Sequence, residues 1–157
     1  MKRSHLFVAT ISGFALSCTV AAQERMVPLD SLPLTKGEAS YVVEDGEATV
    51  DDDLIKRIGV GRKKVTASYR NRTDERKRAK YTIELYNEYG LLLGEDDAGG
   101  AIFGGAGSIE PGDVGTERLH IEWFPLDRLF EKSAIQLPEN WQVVKWVVIK
   151  DTNTRSD

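Results

Sequence analysis

The sequence predicts an all-β protein, an antiparallel sandwich of about seven strands with one short helix. Apolar and polar residues alternate strictly over residues 81–86, and this period of two is the repeat of a strand with one buried face. Gly61 and Gly90 interrupt alternating stretches where hairpin turns need a positive φ. The Pro111-Gly112 pair predicts a further tight turn. Short strands separated by such turns are typical of two facing sheets.

Residues 1–22 have the anatomy of a secretory signal peptide. Two basic residues precede an apolar stretch over residues 6–16, which is too short to span a bilayer. Small residues follow, and cleavage is expected after Ala22. In an alternative interpretation, Ala15-Leu16-Ser17-Cys18 is a lipidation site and Cys18 becomes the first residue. The expected location is therefore periplasmic, with membrane attachment only if Cys18 is lipidated.

Composition limits the remaining possibilities. The 157-residue chain has a formal net charge of −4, and loss of the two basic residues of the signal peptide makes the mature protein −6. Cys18 is the only cysteine, so stability must come from a hydrophobic core rather than from disulfides. About 135 residues suffice for one domain. Nucleic acid is not an expected partner of an exported, acidic chain.

Residues 23–53 are expected to form an extended lead-in followed by an acidic linker. Two prolines disfavour regular pairing, and only residues 40–44 look able to form a short edge strand. Six acidic residues lie between positions 44 and 53. They would suit a divalent-cation loop, but their spacing differs from that of calcium loops, and a solvated linker is the preferred interpretation.

Two hairpins begin the predicted sandwich domain. The first spans residues 54–70 with its turn at Gly61, and the second spans residues 81–93 with its turn at Gly90. Between them, residues 74–80 are highly charged. We expect them to form a loop at one end of the sandwich.

The second half of the domain begins with a glycine-rich connection over residues 94–107, which lacks the pattern of a phosphate-binding loop. Alternation over residues 115–123 then predicts one strand with Leu119, Ile121 and Trp123 facing inward.

Residues 125–132 place three apolar side chains at helical spacing, which predicts a short helix that caps the sandwich. Residues 141–151 are apolar on both faces, as expected for a central strand or for one whose second face the helical segment covers. The sandwich domain is expected to cover residues 54–151 and to end in a disordered tail, residues 152–157.

Three motifs resemble the FxLYD-type immunoglobulin-like domains of secreted bacterial proteins. They are the strand and turn Val65–Thr73, the hairpin Ile83–Gly90 and the turn Ile109–Asp113. The resemblance covers roughly residues 54–123 and implies an immunoglobulin-like antiparallel β-sandwich. It also implies a non-catalytic binding or spacing module, and it carries over no catalytic residue.

Few groups of the mature chain suit catalysis. His120 is expected on an outward strand face without a nucleophile and an orienting acid beside it. Four glutamates could meet across strands as paired carboxylates for glycoside cleavage: Glu84, Glu95, Glu117 and Glu122. No metal or cofactor is expected, because histidine, cysteine and methionine ligands are scarce.

Two surface features could bind a partner. The first is a basic run in an acidic chain, comprising Arg70, Arg72, Arg76, Lys77, Arg78 and Lys80. Residues 62–64 would strengthen its positive field if the two hairpin regions converge, whereas an ordinary solvated loop is the plainer interpretation. The second is a carbohydrate or peptide groove lined by Trp123, Trp141 and Trp146, although such tryptophans more often belong to the core.

The sequence therefore predicts a non-enzymatic interaction module of the cell envelope. Its expected partner is another envelope protein or an anionic envelope polymer, bound through residues 70–80 or an exposed sheet edge. One alternative is an enzyme acting on envelope glycans, or an enzyme inhibitor, that uses residues 94–107. Another is a carrier of an apolar ligand, which would need a large cavity between the sheets.

Overall fold

A computed structural model describes residues 25–78, 80–96 and 108–152, together with the backbone of residues 155–156. Its strands are β1 (Glu38–Val42), β2 (Glu47–Thr49), β3 (Ile55–Val60), β4 (Val65–Arg70), β5 (Lys77–Arg78), β6 (Tyr81–Tyr86), β7 (Leu92–Asp96), β8 (Val114–Leu119), β9 (Glu122–Trp123), β10 (Trp146–Asp151) and β11 (Arg155–Ser156). The expected signal peptide, with Cys18, and most of the glycine-rich connection lie outside the described residues.

Two antiparallel sheets face each other. One has the strand order β1-β10-β6-β7-β9, the other has the order β2-β3-β4-β8, and β5 and β11 form a separate pair. The predicted all-β, immunoglobulin-like sandwich with one short helix is confirmed. The described part of the chain has more strands than the seven expected, because several short pairings carry no sequence periodicity.

The core lies between the inner faces of the two sheets. Tyr81, Ile83 and Leu85 of β6 are buried, as their alternation predicts, and Val65 and Ala67 of β4 belong to the same cluster. Each fully buried aliphatic side chain contributes about 1.5–3 kcal/mol relative to exposure. Both predicted hairpins are confirmed, with β3 paired to β4 and β6 paired to β7.

Strand β10 is central, as predicted, because it lies between β1 and β6, but it begins at Trp146 rather than at Trp141. Val147 and Ile149 belong to the inter-sheet core. Trp146 and Val148 face the other side, where they pack with Leu32 of the lead-in. The second face is therefore covered by the lead-in rather than by residues 125–132.

The acidic segment is part of the sandwich, which corrects the expectation of a linker over residues 44–53. Asp45 and Gly46 both have positive φ, and Glu44 and Glu47 exchange backbone hydrogen bonds of 2.8 and 2.9 Å around them. An Asp-Gly pair in this conformation makes a tight hairpin turn. The turn carries the chain from β1 in one sheet to β2 in the other, so the sandwich begins at β1.

Residues 115–123 do not form one strand, which corrects a second expectation. All six residues of β8 pair with the six of β4, and beyond Leu119 that sheet offers no further partner residue. The chain therefore crosses to the other sheet, where β9 pairs with β7. Leu119 is buried as predicted, but Trp123 is 45% exposed rather than inward.

The helix α1 (Leu126–Phe130) is confirmed, but it buries only part of its predicted apolar face. Leu126 is buried, whereas Leu129 is 64% exposed. Within the described residues, no helix has the length and apolar character needed to cross a membrane.

The loop expected over residues 74–80 and the tail expected to be disordered both contain paired backbone, since β5 pairs with β11.

A buried asparagine organises one end of the sandwich. The Asn71 side chain donates to the carbonyl oxygens of Glu75 and Ile109, both at 2.8 Å, and accepts from the backbone and hydroxyl of Thr73 at 3.0 and 2.7 Å. All of its hydrogen-bonding capacity is used inside the protein. The side chain therefore connects the turn after β4 to the strand-like residues before β8.

Replacing Asn71 with alanine is expected to lower the free energy of unfolding by about 2–3 kcal/mol, because it leaves buried carbonyl and amide groups unsatisfied. Chemical denaturation measures the change. Arg72→Ala is the matched control, since its exposed neighbouring side chain should alter stability by less than about 0.5 kcal/mol. Equal effects of the two substitutions would contradict the structural role of Asn71.

Tyr86 gives a second test through pH. Burial raises the pKa of Tyr86, and the hydrogen bond from its hydroxyl to Glu84 at 2.8 Å raises it further. Above a pH of about 10, the unfolded side chain loses its proton while the folded one keeps it. The free energy of unfolding should therefore fall as pH rises above this value. Tyr86→Phe should reduce that fall in denaturation experiments at pH 8 to 11, and an unchanged slope would refute the assignment.

Candidate functional site

The basic loop, residues 70–80, lies at the end of the sandwich where Asn71 is buried. Two of its cations, Arg76 and Lys77, are paired with acidic residues nearby. Arg76 contacts Glu110 at 3.0 Å and Ser108 at 2.6 Å, and Lys77 contacts Glu75 at 2.9 Å. The positive field of this loop is therefore smaller than its residue count suggests.

The predicted site residues occupy different positions along this loop. Arg70 ends β4, Lys77 and Arg78 form β5, and the Lys80 carbonyl accepts from the backbone and hydroxyl of Thr152 at 2.8 and 2.9 Å. The side chains of Arg70, Arg72, Arg76, Arg78 and Lys80 are exposed.

The second basic group, residues 62–64, does not converge with the basic loop. Residues 62–64 precede β4 and Arg70 is its last residue, so the whole strand separates the two groups. Six residue steps of a strand span roughly 20 Å. The two basic groups therefore do not combine into a single large positive field.

The turn at residues 62–63 instead borders an aromatic groove at the opposite end of the sandwich. We use this name for the surface formed by Arg62, Lys63, Trp123, Phe124, Trp141 and Val143. The groove encloses about 850 Å³, within the size range of ligand sites. Trp123 and Val143 are 45% and 61% exposed, so apolar surface faces solvent beside two cations.

Trp123 is held in place by the pairing of β7 with β9. Gly94 lies directly opposite Trp123, and a methyl group added at Gly94 would lie 3.2 Å from the indole and 2.7 Å from the Glu122 carbonyl oxygen. Phe124 donates its backbone N–H to Leu93 at 2.9 Å. Because Gly94 has no side chain, the Trp123 indole can lie against the sheet edge while part of the ring stays exposed.

The opposite wall of the groove is held by a second buried asparagine. Asn87 donates from its side chain to the Trp141 carbonyl oxygen at 3.0 Å, and it accepts from the backbone N–H groups of Tyr89 and Leu91 at 3.0 and 2.9 Å. The β6–β7 turn and the segment before β10 are thus connected by one side chain. This connection fixes the position of Trp141 in the wall.

A smaller polar cleft adjoins the groove. It encloses about 510 Å³, and Lys63 and Trp123 border both spaces. Arg118, His120 and Glu122 also line this cleft. The linings of the groove and the cleft therefore include three permanent cations and one carboxylate, on a chain whose overall charge is negative.

Three of the four glutamates considered for catalysis meet across strands. Glu84 is the register partner of Glu95, and Glu95 is the partner of Glu122. Glu117 lies apart, in the other sheet. Glu84 accepts a hydrogen bond from Tyr86, and His120 is exposed at the corner between β8 and β9.

The remaining alternatives find little support in the described residues. Asp52 of the acidic segment accepts from the backbone of Leu54 and Ile55 and from the Tyr81 hydroxyl, which gives it a structural role. Within the described ranges, no three His, Cys, Asp or Glu side chains are grouped to hold a metal ion. The inner faces of the two sheets form one packed cluster, which does not favour an apolar carrier.

Comparison of the chain with protein-family models, with curated proteins and with solved structures finds no match in any of the three.

Sequence reasoning identified part of this surface. Trp123 and Trp141 were expected in a possible groove, and both line it, whereas Trp146 belongs to the interior. Phe124, Arg118 and Val143 were missed. Their position near Trp123 depends on how distant segments of the chain meet in the fold, and periodicity within a single strand does not contain that information.

Gly94→Ala should displace Trp123, because the added methyl group meets the Glu122 carbonyl oxygen, a backbone atom that cannot rotate away, and also meets the side chains of Ile121 and Trp123. Overpacking of this kind costs about 1–3 kcal/mol. The indole N–H resonance of Trp123 should shift in a ¹⁵N correlation spectrum, while that of buried Trp146 changes little. In the control Gly59→Ala, the methyl group meets only the Thr66 hydroxyl. An unmoved Trp123 resonance in Gly94→Ala would contradict this account of the wall.

Proposed function

We propose that the chain is a non-enzymatic interaction module of the cell envelope, exported by residues 1–22, that binds an anionic partner through the aromatic groove. The partner is an anionic envelope polymer or an acidic envelope protein. The proposal accords with the binding role implied by the resemblance to FxLYD-type domains. The proposed binding surface lies at the end of the sandwich opposite the basic loop, which the sequence favours.

The observation that carries this proposal is the apolar surface of Trp123 and Val143, which is exposed beside Arg62 and Lys63. Arg76 and Lys77 of the basic loop form ion pairs with Glu110 and Glu75. Arg62 and Lys63 are exposed, and no ion pair joins them to an acidic residue in the described part of the chain. Exposed aromatic side chains beside unpaired cations are the composition of binding surfaces.

The test compares two charge reversals of equal size. Immobilised purified protein is incubated with envelope extract, and retained components are identified and quantified. The double variant Arg62→Glu and Lys63→Glu should lose the retained anionic partner, because attraction becomes repulsion. Arg72→Glu with Lys80→Glu changes the net charge by the same amount at the other end and should retain it.

The reverse pattern, with loss only in the Arg72 and Lys80 variant, would return the site to the basic loop. Turnover of envelope glycans by the purified protein that disappears in Glu84→Gln or Glu95→Gln would contradict a non-enzymatic role, because these partnered carboxylates are the residues suited to such chemistry.

A further inference from the structure

The chemistry around Trp123 restricts the ligand further. The groove and the polar cleft together present Arg62, Lys63 and Arg118, against Glu122 in the lining and its cross-strand partner Glu95. Such a local excess of positive charge on an acidic protein attracts anions and disfavours cations. The charge therefore points to a ligand with carboxylate or similar groups.

The aromatic walls add a second requirement. Trp123 is exposed at one wall, and Trp141 and Phe124 also line the groove. Indole rings offer flat apolar surface with a single polar N–H at the edge. A ligand that uses both features must combine an apolar ring face with acidic substituents. The C–H face of a sugar ring that carries a carboxylate has this combination.

The backbone at the groove disfavours a peptide that binds as an added strand. Strand addition needs a row of free backbone N–H and C=O groups along a sheet edge. The edge here is β9, which has only two residues. Phe124 already donates its N–H to Leu93, and Pro125 has no N–H to offer. Recognition at this edge therefore depends on side chains.

Resting on the proposed function, we infer that the aromatic groove binds an acidic oligosaccharide of the uronic-acid class. A sugar ring lies against Trp123, and its carboxylate lies beside Arg62 and Lys63. Because the cations are exposed, binding weakens as salt concentration rises.

The test uses tetragalacturonate as the probe, its carboxyl-reduced neutral counterpart and hexaglutamate. Binding is followed by the three indole N–H resonances of ¹⁵N-labelled protein. Tetragalacturonate should shift Trp123 and Trp141 but leave Trp146, which is buried and serves as an internal control. The neutral sugar and hexaglutamate should each bind at least about tenfold more weakly.

Variants separate the two recognition elements. Arg62→Ala and Lys63→Ala should each weaken tetragalacturonate binding by about tenfold, the loss expected for a charged hydrogen bond. Arg72→Ala, at the opposite end, should leave binding unchanged. Trp123→Phe keeps an apolar ring in case Trp123→Ala fails to fold, and it should bind with intermediate affinity.

Each contrary outcome has a distinct meaning. Equal binding of the neutral sugar, or stronger binding of hexaglutamate without a shift of Trp123, overturns the uronic-acid inference and leaves the proposed function intact. No indole shift with tetragalacturonate also overturns the inference. The proposed function falls only if partner retention from envelope extract also survives reversal of Arg62 and Lys63.

Discussion

Contact between the inner faces of the two sheets is the interaction on which the rest of this structure depends. No disulfide within the chain is possible, because Cys18 is its only cysteine, so the apolar layer must hold the sheets together. The chain itself closes both sides of this layer. It crosses between sheets at the Asp45-Gly46 turn on one side and at His120-Ile121 on the other. The sheets are thereby connected at their edges as well as through their faces.

Each end of the sandwich contains a buried asparagine whose side chain connects separate segments of the chain. Asn71 joins the turn after β4 to residues 75 and 109, and Asn87 joins the β6–β7 turn to Trp141. An amide side chain suits this position because it offers two donors and one acceptor oxygen to backbone groups that no strand can satisfy. These hydrogen bonds connect the segments at each end of the sandwich. Both surfaces considered for binding lie at these ends.

The sequence predicts well those features that depend on one segment alone. Alternation identifies β6, and two-sided apolarity identifies β10 as central. The same approach fails where the partner decides the outcome. Residues 115–123 alternate without interruption, yet the chain leaves its sheet after Leu119 because β4 has no further residue to pair with. The acidic residues 44–53 include the Asp45-Gly46 hairpin turn, and a high density of charge does not distinguish such a turn from a solvated linker.

The charge available for binding at the candidate site also cannot be predicted from one segment alone. Counting cations along the chain favours residues 70–80, but Arg76 and Lys77 already have acidic partners, and a ligand would have to replace those contacts. At the aromatic groove, Arg62 and Lys63 project from a turn closed by the hydrogen bond from Gly61 to Lys64 at 2.9 Å. Backbone pairing of β7 with β9 fixes the Trp123 wall of the groove, and the Asn87 side chain fixes the Trp141 wall, before any ligand arrives. A preformed surface loses less conformational freedom on binding, so two cations beside fixed aromatic walls can contribute more to affinity than a longer run in which Arg76 and Lys77 already have acidic partners.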